Sequence, residues 1–121
     1  MNALALVLLI GLCGGIGSAL RYLTDISFPK AWRERYPWGT TTVNLVGSFC
    51  MGLLVGAPSF LGPWHAVVAA GLLGGFTTFS SAMADSISLI RTGRITRAVV
   101  NTFVQLIAAV ALAGLGIALV S

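Results

Sequence analysis

Long apolar runs separated by short polar stretches dominate the chain. A membrane span needs about 20 mostly apolar residues at a rise of about 1.5 Å each. Four stretches meet that requirement, at roughly residues 3–23, 39–57, 64–90 and 98–120. The polar loop after the first has Pro29 and Pro37 as helix breakers and Trp32, Tyr36 and Trp38 as interface anchors. The segment from Pro58 to Pro63 predicts a tight turn, and residues 91–97 form a short basic loop. The expected fold is an all-α integral membrane protein, with four transmembrane helices in one membrane domain over residues 1–121.

Composition supports that picture. Apolar residues make up 57% and charged residues 8%, with a mean hydropathy of +0.97, against about a quarter charged in a soluble domain. No formal charge falls between Tyr36 and Ala84 unless His65 is protonated. A soluble enzyme, a nucleic-acid binder and a disordered tail are excluded together. The pI near 9.8 reflects Lys and Arg flanking apolar runs, where they read as topology signals and not as a nucleic-acid patch. Cys13 and Cys50 lie inside apolar stretches as small hydrophobes, with neither metal-ligand spacing nor a disulfide framework. The first stretch has no Lys or Arg ahead of it, so it is expected to be a permanent span and not a cleaved signal. With a single His and no serine–histidine–acid set, no enzyme activity is expected.

Glycines crowd the apolar stretches. Gly11/Gly15, Gly52/Gly56 and Gly71/Gly75 have the small-xxx-small spacing that lets helix backbones approach in lipid. One stretch differs: Gly74-Gly75-Phe76-Thr77-Thr78-Phe79-Ser80-Ser81 places two glycines and two β-branched threonines in mid-span. Such residues are poor helix formers. Either the helix is interrupted, freeing carbonyls that must be buried, line water or bind a cation, or the hydroxyls back-bond and the helix merely bends. Composition alone leaves both open. Asn44 in mid-span needs a partner, because an amide in hydrocarbon is costly. Asn101 and Gln105, four residues apart, share a face of the fourth helix, as helix-to-helix glue or as pore groups.

Three of these places resemble one family. Gly14-Gly15-Ile16-Gly17-Ser18-Ala19-Leu20-Arg21-Tyr22, the stretch from Pro37 through Asn44 to Gly47, and Gly74-Gly75-Phe76-Thr77-Thr78-Phe79-Ser80 are similar to successive signatures of the CrcB/Fluc fluoride channels. The fourth span matches weakly, through its length and Asn101. The resemblance implies an antiparallel dimer of four-helix subunits with a broken third helix, two narrow fluoride pores and one structural sodium ion. By position, the sodium would be held by the backbone carbonyls of Gly74 and Thr77. Fluoride is a compact, strongly hydrated acceptor, so its path needs compact donors. Asn44, Thr78, Ser80 and Ser81 offer them. Phe79 corresponds to a pore phenylalanine whose positive ring edge can face an anion. Arg21 would lie near a pore mouth, or snorkel to headgroups as any Arg at a helix end can.

The chain also departs from the family. The position of a second pore phenylalanine holds Ala82, and Ala109 and Ala113 stand where small hydroxyl residues are expected. All seven Lys and Arg fall on the side of the first and third loops. The positive-inside rule then predicts a single orientation in a bacterial-type inner membrane, with both termini extracytoplasmic. Dual-topology members keep that bias near zero. The expected partner is therefore a second copy or, as the charge bias and Ala82 favour, an oppositely inserted family member. Competing readings are an auxiliary subunit of such a heterodimer and a small proton-coupled exporter of cationic drugs. The exporter fits poorly, since its intramembrane carboxylate is missing from the first span and Asp85 comes late in the third.

Overall fold

In the computed structural model, which describes residues 2–121, four helices are long and apolar enough to cross a bilayer: Ala3–Ser27, Trp38–Gly56, Gly62–Arg91 and Ile95–Val120. Among the described residues there is no strand. The all-helical, four-span architecture is the one the apolar pattern predicts, and the protein is multi-pass.

The helix ends explain where the loops fall. Asn2 caps the first span, its Oδ1 accepting the Ala5 N–H at 2.8 Å. At the other end the span runs four residues past the apolar stretch, to Ser27. The hydroxyls of Thr24 and Ser27 donate to the carbonyls of Leu20 and Leu23 at 2.8 and 2.6 Å, so these polar side chains stay inside the helix. Phe28, which precedes Pro29, is extended (ψ 143°) and ends it. A short helix, Lys30–Arg35, follows before the second span. The first and third loops are latched together, because Arg97 Nη1 donates to the Arg35 carbonyl at 2.9 Å and Arg94 Nη1 donates to the Glu34 carbonyl.

Packing in lipid cannot draw on the hydrophobic effect between helices, so close backbone contact carries it. The second span packs along the fourth, and the first along the upstream half of the third. A Cβ on Gly52 would strike the Ala113 backbone, and one on Gly116 would come within 2.8 Å of Leu53 N. Between the first and third spans, a Cβ on Gly17 or Gly75 would run into Leu72 or Gly14 respectively. Gly11 and Gly15 are different: a side chain there would meet nothing within 4 Å. Of the three spaced pairs, two are contacts within the subunit, while the first span uses Gly14 and Gly17 instead.

A core of apolar residues such as Val43 and Val67 also encloses polar side chains, while many large apolar ones lie on the outer surface. Asn101 and Gln105 are 1% and 6% exposed, whereas Leu12 is 66% exposed. Apolar side chains face the lipid, and polar ones must find partners inside.

Candidate functional site

The third span is interrupted, and the threonines do it. Gly74–Phe76 remains a helical turn, whereas Thr77 (ψ 156°) and Thr78 (φ −153°, ψ 121°) are extended before a new helix begins at Phe79. Neither Gly74 nor Gly75 uses a positive φ, since only Gly62 and Gly93 do among the described residues. Back-bonding occurs as well, because Thr77 Oγ1 donates to the Leu73 carbonyl at 2.9 Å. Room for the Thr77 methyl comes from Gly47, where a Cβ would collide with it.

Four carbonyls, those of Gly74 to Thr77, lose their helical donors at this break, and the one on Gly75 accepts instead from the Ser18 hydroxyl at 3.4 Å. In a continuous helix the Thr78 N–H would serve the Gly74 carbonyl, but it donates to Asn44 Oδ1 at 2.7 Å. The Ser81 N–H would serve Thr77, but it donates to the capping hydroxyl of Thr78 at 3.2 Å. Gly74 and Thr77 are the residues whose carbonyls the family resemblance implies as sodium ligands. Neutral carbonyl oxygens of this kind suit a hard monovalent cation, and Gly74 itself is exposed on the subunit surface.

Asn44 closes the break from the second span. Besides accepting from Thr78 N, its Nδ2 donates to the Thr78 carbonyl at 2.9 Å and to Gln105 Oε1 at 2.7 Å. From there the polar chain continues through the fourth span. Gln105 Nε2 donates to Asn101 Oδ1 at 2.8 Å, to the Asn101 carbonyl at 3.0 Å and to Thr41 Oγ1 at 3.2 Å. Asn101 Nδ2 donates to the Ala82 carbonyl at 2.9 Å and Ser86 Oγ at 2.8 Å, and Ser86 pairs with Thr102 at 2.7 Å. The backbone widens to π-type turns over Val100–Val104 around Asn101, a distortion often found at functional positions. The Asn101–Gln105 pair thus links spans by hydrogen bonds, with Gln105 accepting from Asn44, and both residues also line the groove beside it. Ser86 and Thr102 escaped the sequence reading, because single hydroxyls in an apolar run carry no spacing signal.

Around this network lies a groove of about 510 Å³, lined by Asn44, Ser48, Thr78, Phe79, Met83 and Thr102, among others. The residues expected on one anion path divide between two places. Asn44, Thr78 and Phe79 line the groove, with Thr78 buried and Phe79 standing 75% exposed at its edge. Arg21 and Ser81 line a separate recess of about 510 Å³ at the loop end, together with Asp25, Arg33 and Asp85. Ser80 is exposed. Ala82 and Ala109 border the groove, while Ala113 packs on Gly52.

Comparison with known proteins gives this geometry a context. Residues 8–117 match the family described as CrcB-like protein, Camphor Resistance (CrcB). The chain is similar to fluoride-specific ion channel FluC 3 of Bifidobacterium longum, 42% identical over 94 residues that cover 74% of this chain and 76% of the relative. It is also similar to the fluoride-specific ion channel FluC of Shewanella halifaxensis, 38% identical over 102 residues and 82% of each chain. The FluC of Rhodospirillum centenum is 40% identical over 96 residues, covering 74% of this chain and 75% of its own length.

Proposed function

Since the chain belongs to the CrcB-like (camphor resistance) family, matched over residues 8–117, we propose that it is a fluoride-selective anion channel subunit that lets cytoplasmic fluoride leave passively. The observation that carries this reading is the Asn44-clamped break, with an exposed phenylalanine beside it and an amide donor behind it. The names of its relatives as fluoride-specific ion channels support the choice of ion.

A dehydrated fluoride must trade water for compact donors. In the groove, Asn44 Nδ2 exchanges its Gln105 acceptor for the anion while keeping its hold on Thr78. The Thr78 and Thr102 hydroxyls and the edge of the Phe79 ring add further positive potential. Arg21 and Ser81 gather the anion at the loop-end recess, and Ser80 meets it on the exposed side of the helix. Weakly acidic HF crosses lipid and dissociates inside the cell. A negative-inside potential then drives the anion out with about 2.3 kcal/mol per charge per 100 mV.

The exposed face around Phe79 is completed by a second, antiparallel subunit. A structural sodium ion lies at the centre of that dimer, held by the carbonyls of Gly74 and Thr77. It supplies positive charge where two broken helices bring carbonyl oxygens together. The chain sits in a bacterial-type inner membrane with both termini extracytoplasmic, which places the latched arginine loops in the cytoplasm.

One observation favours a second form of this reading. All seven basic residues lie on one side of the chain, so the oppositely inserted partner is a different family member, and this chain is one half of a heterodimer. Fluoride efflux from liposomes tests both forms. Flux with this chain alone supports the homodimer, and flux only after adding an oppositely inserted family member supports the heterodimer. Absence of fluoride-selective flux in both preparations overturns the channel reading.

A further inference from the structure

A second pair of cavities, sharing only Gln105 with the anion groove, extends to the end that carries the basic loops. The upper one is a cup of about 430 Å³ walled by Arg35, Arg94, Arg97 and Thr96, with no acidic side chain in its lining. Directly continuous with it through Arg35, Thr96 and Arg97 runs a trough of about 660 Å³. One wall of the trough descends along the fourth span through Val100 and Val104 to Ala108, and the other carries Trp38 and Leu45.

On the trough floor Thr41 Oγ1 accepts from Gln105 and donates toward the Tyr36 hydroxyl at 3.4 Å, and the walls along Leu45, Val100, Val104 and Ala108 are apolar. From Thr96 to Ala108 the helix descends about 18 Å at 1.5 Å per residue, close to one leaflet of a hydrocarbon core about 30 Å thick. Each arginine keeps most of its five N–H donors, because the latch to Glu34 and Arg35 uses only one Nη1 apiece. Cationic above and apolar below, over the depth of one leaflet, the site complements an amphiphile with a phosphate head. Tyr36 and Trp38, with ring centroids 4.9 Å apart, mark the interface level between the two parts.

We propose that this cup and trough hold one anionic phospholipid, its phosphate among Arg35, Arg94 and Arg97 and one acyl chain along the fourth span. The site is independent of the conduction reading. It bears on the anion groove all the same, since Gln105 lines both the trough and the groove. Lipid in the trough braces the helix pair that positions Asn44.

Tryptophan quenching by brominated lipids tests this in the full chain. Trp32→Phe with Trp64→Phe leaves Trp38 in the trough as sole reporter, and Trp32→Phe with Trp38→Phe leaves Trp64, which lies at the opposite end of the bundle. In phosphatidylcholine vesicles, dibrominated phosphatidylglycerol should half-quench Trp38 at about tenfold lower mole fraction than dibrominated phosphatidylcholine, in line with two or more arginines near one phosphate. Trp64 should show no such preference. Arg35→Gln with Arg97→Gln should bring the Trp38 ratio to within about twofold of unity. The unmodified basic site alone can overturn the proposal. Equal quenching of Trp38 by the two lipids refutes an anionic lipid, and quenching of Trp64 but not Trp38 means that a protein surface covers the trough. Loss of the preference on adding millimolar inorganic phosphate assigns the cup to a free anion instead.

Discussion

Asn44 pairs with both polar backbone groups of Thr78, accepting its N–H at 2.7 Å and donating to its carbonyl at 2.9 Å. One side chain from the second span thereby pairs the backbone of the extended residue that precedes the new helix. Leaving either backbone group unpaired in this setting costs about 1–3 kcal/mol. The break is stable because it is clamped.

Asn44→Asp separates the clamp from conduction. A carboxylate still accepts from Thr78 N–H, but it cannot donate to the Thr78 carbonyl or to Gln105, and it sets a like charge against fluoride. Fluoride efflux should fall at least about a hundredfold, with thermal stability lowered by about 2 kcal/mol or more. Unchanged flux at neutral pH and normal expression removes Asn44 from the path.

Asn101 is predicted to act only as glue. Asn101→Leu removes donors from the Ala82 carbonyl and Ser86 and an acceptor from Gln105. Thermal unfolding in detergent should show a loss of about 2–4 kcal/mol, with the anion selectivity of the surviving channels unchanged. An altered fluoride-to-chloride ratio would place Asn101 in the path itself.

Glycine substitutions distinguish contacts within the subunit from those outside it. A Cβ at Gly17 collides with Leu72, whereas one at Gly11 meets nothing within 4 Å. Gly17→Val should abolish folded protein, while Gly11→Val should yield a folded subunit. Gly74 gives the sharper case, as a Cβ there comes no closer than 3.7 Å, to the Ala69 carbonyl. If its carbonyl meets a sodium ion between subunits, Gly74→Val should fold yet fail to dimerise or conduct. Replacing sodium by a large organic cation should likewise stop flux, and Thr77→Ser, which keeps the backbone, should be mild. Flux indifferent to the cation would count against the sodium site.

The four spans were legible because lipid demands apolar length and tolerates few charges. The break was legible as composition but not as geometry. The two glycines and two threonines were read together as its cause, yet Gly74 and Gly75 stay helical and only Thr77 and Thr78 are extended. What decides this is Asn44, thirty-four positions away from Thr78 in sequence, and local propensity cannot see such a partner. For the same reason the partners of Asn101 and Gln105, which bond between spans and also line the groove, could not be read from their spacing. The grouping of Arg21 with Ser81, apart from Asn44 and Phe79, depends on how helices cross, which periodicity does not encode.

On the proposed reading, orientation would decide which partner this chain takes. Arg97 and Arg94 hydrogen-bond to the carbonyls of Arg35 and Glu34, so the two basic loops form one folded surface and not two loose ones. Inverting the subunit would carry all seven basic residues across the bilayer, and the positive-inside bias counts Lys and Arg in just such short loops. Nearly all copies should therefore insert with both termini outside. Ala82 points the same way, since a partner of opposite orientation can supply the ring that this chain lacks. Reporter fusions at both termini measure the outcome in cells: an enzyme active only in the periplasm should report strongly, and one active only in the cytoplasm should stay at least about tenfold weaker. Replacing Arg94 and Arg97 by Gln should raise the inverted fraction. Comparable signals from the two reporters on the unaltered chain would establish dual insertion, and the case for a separate partner would then rest on Ala82 alone.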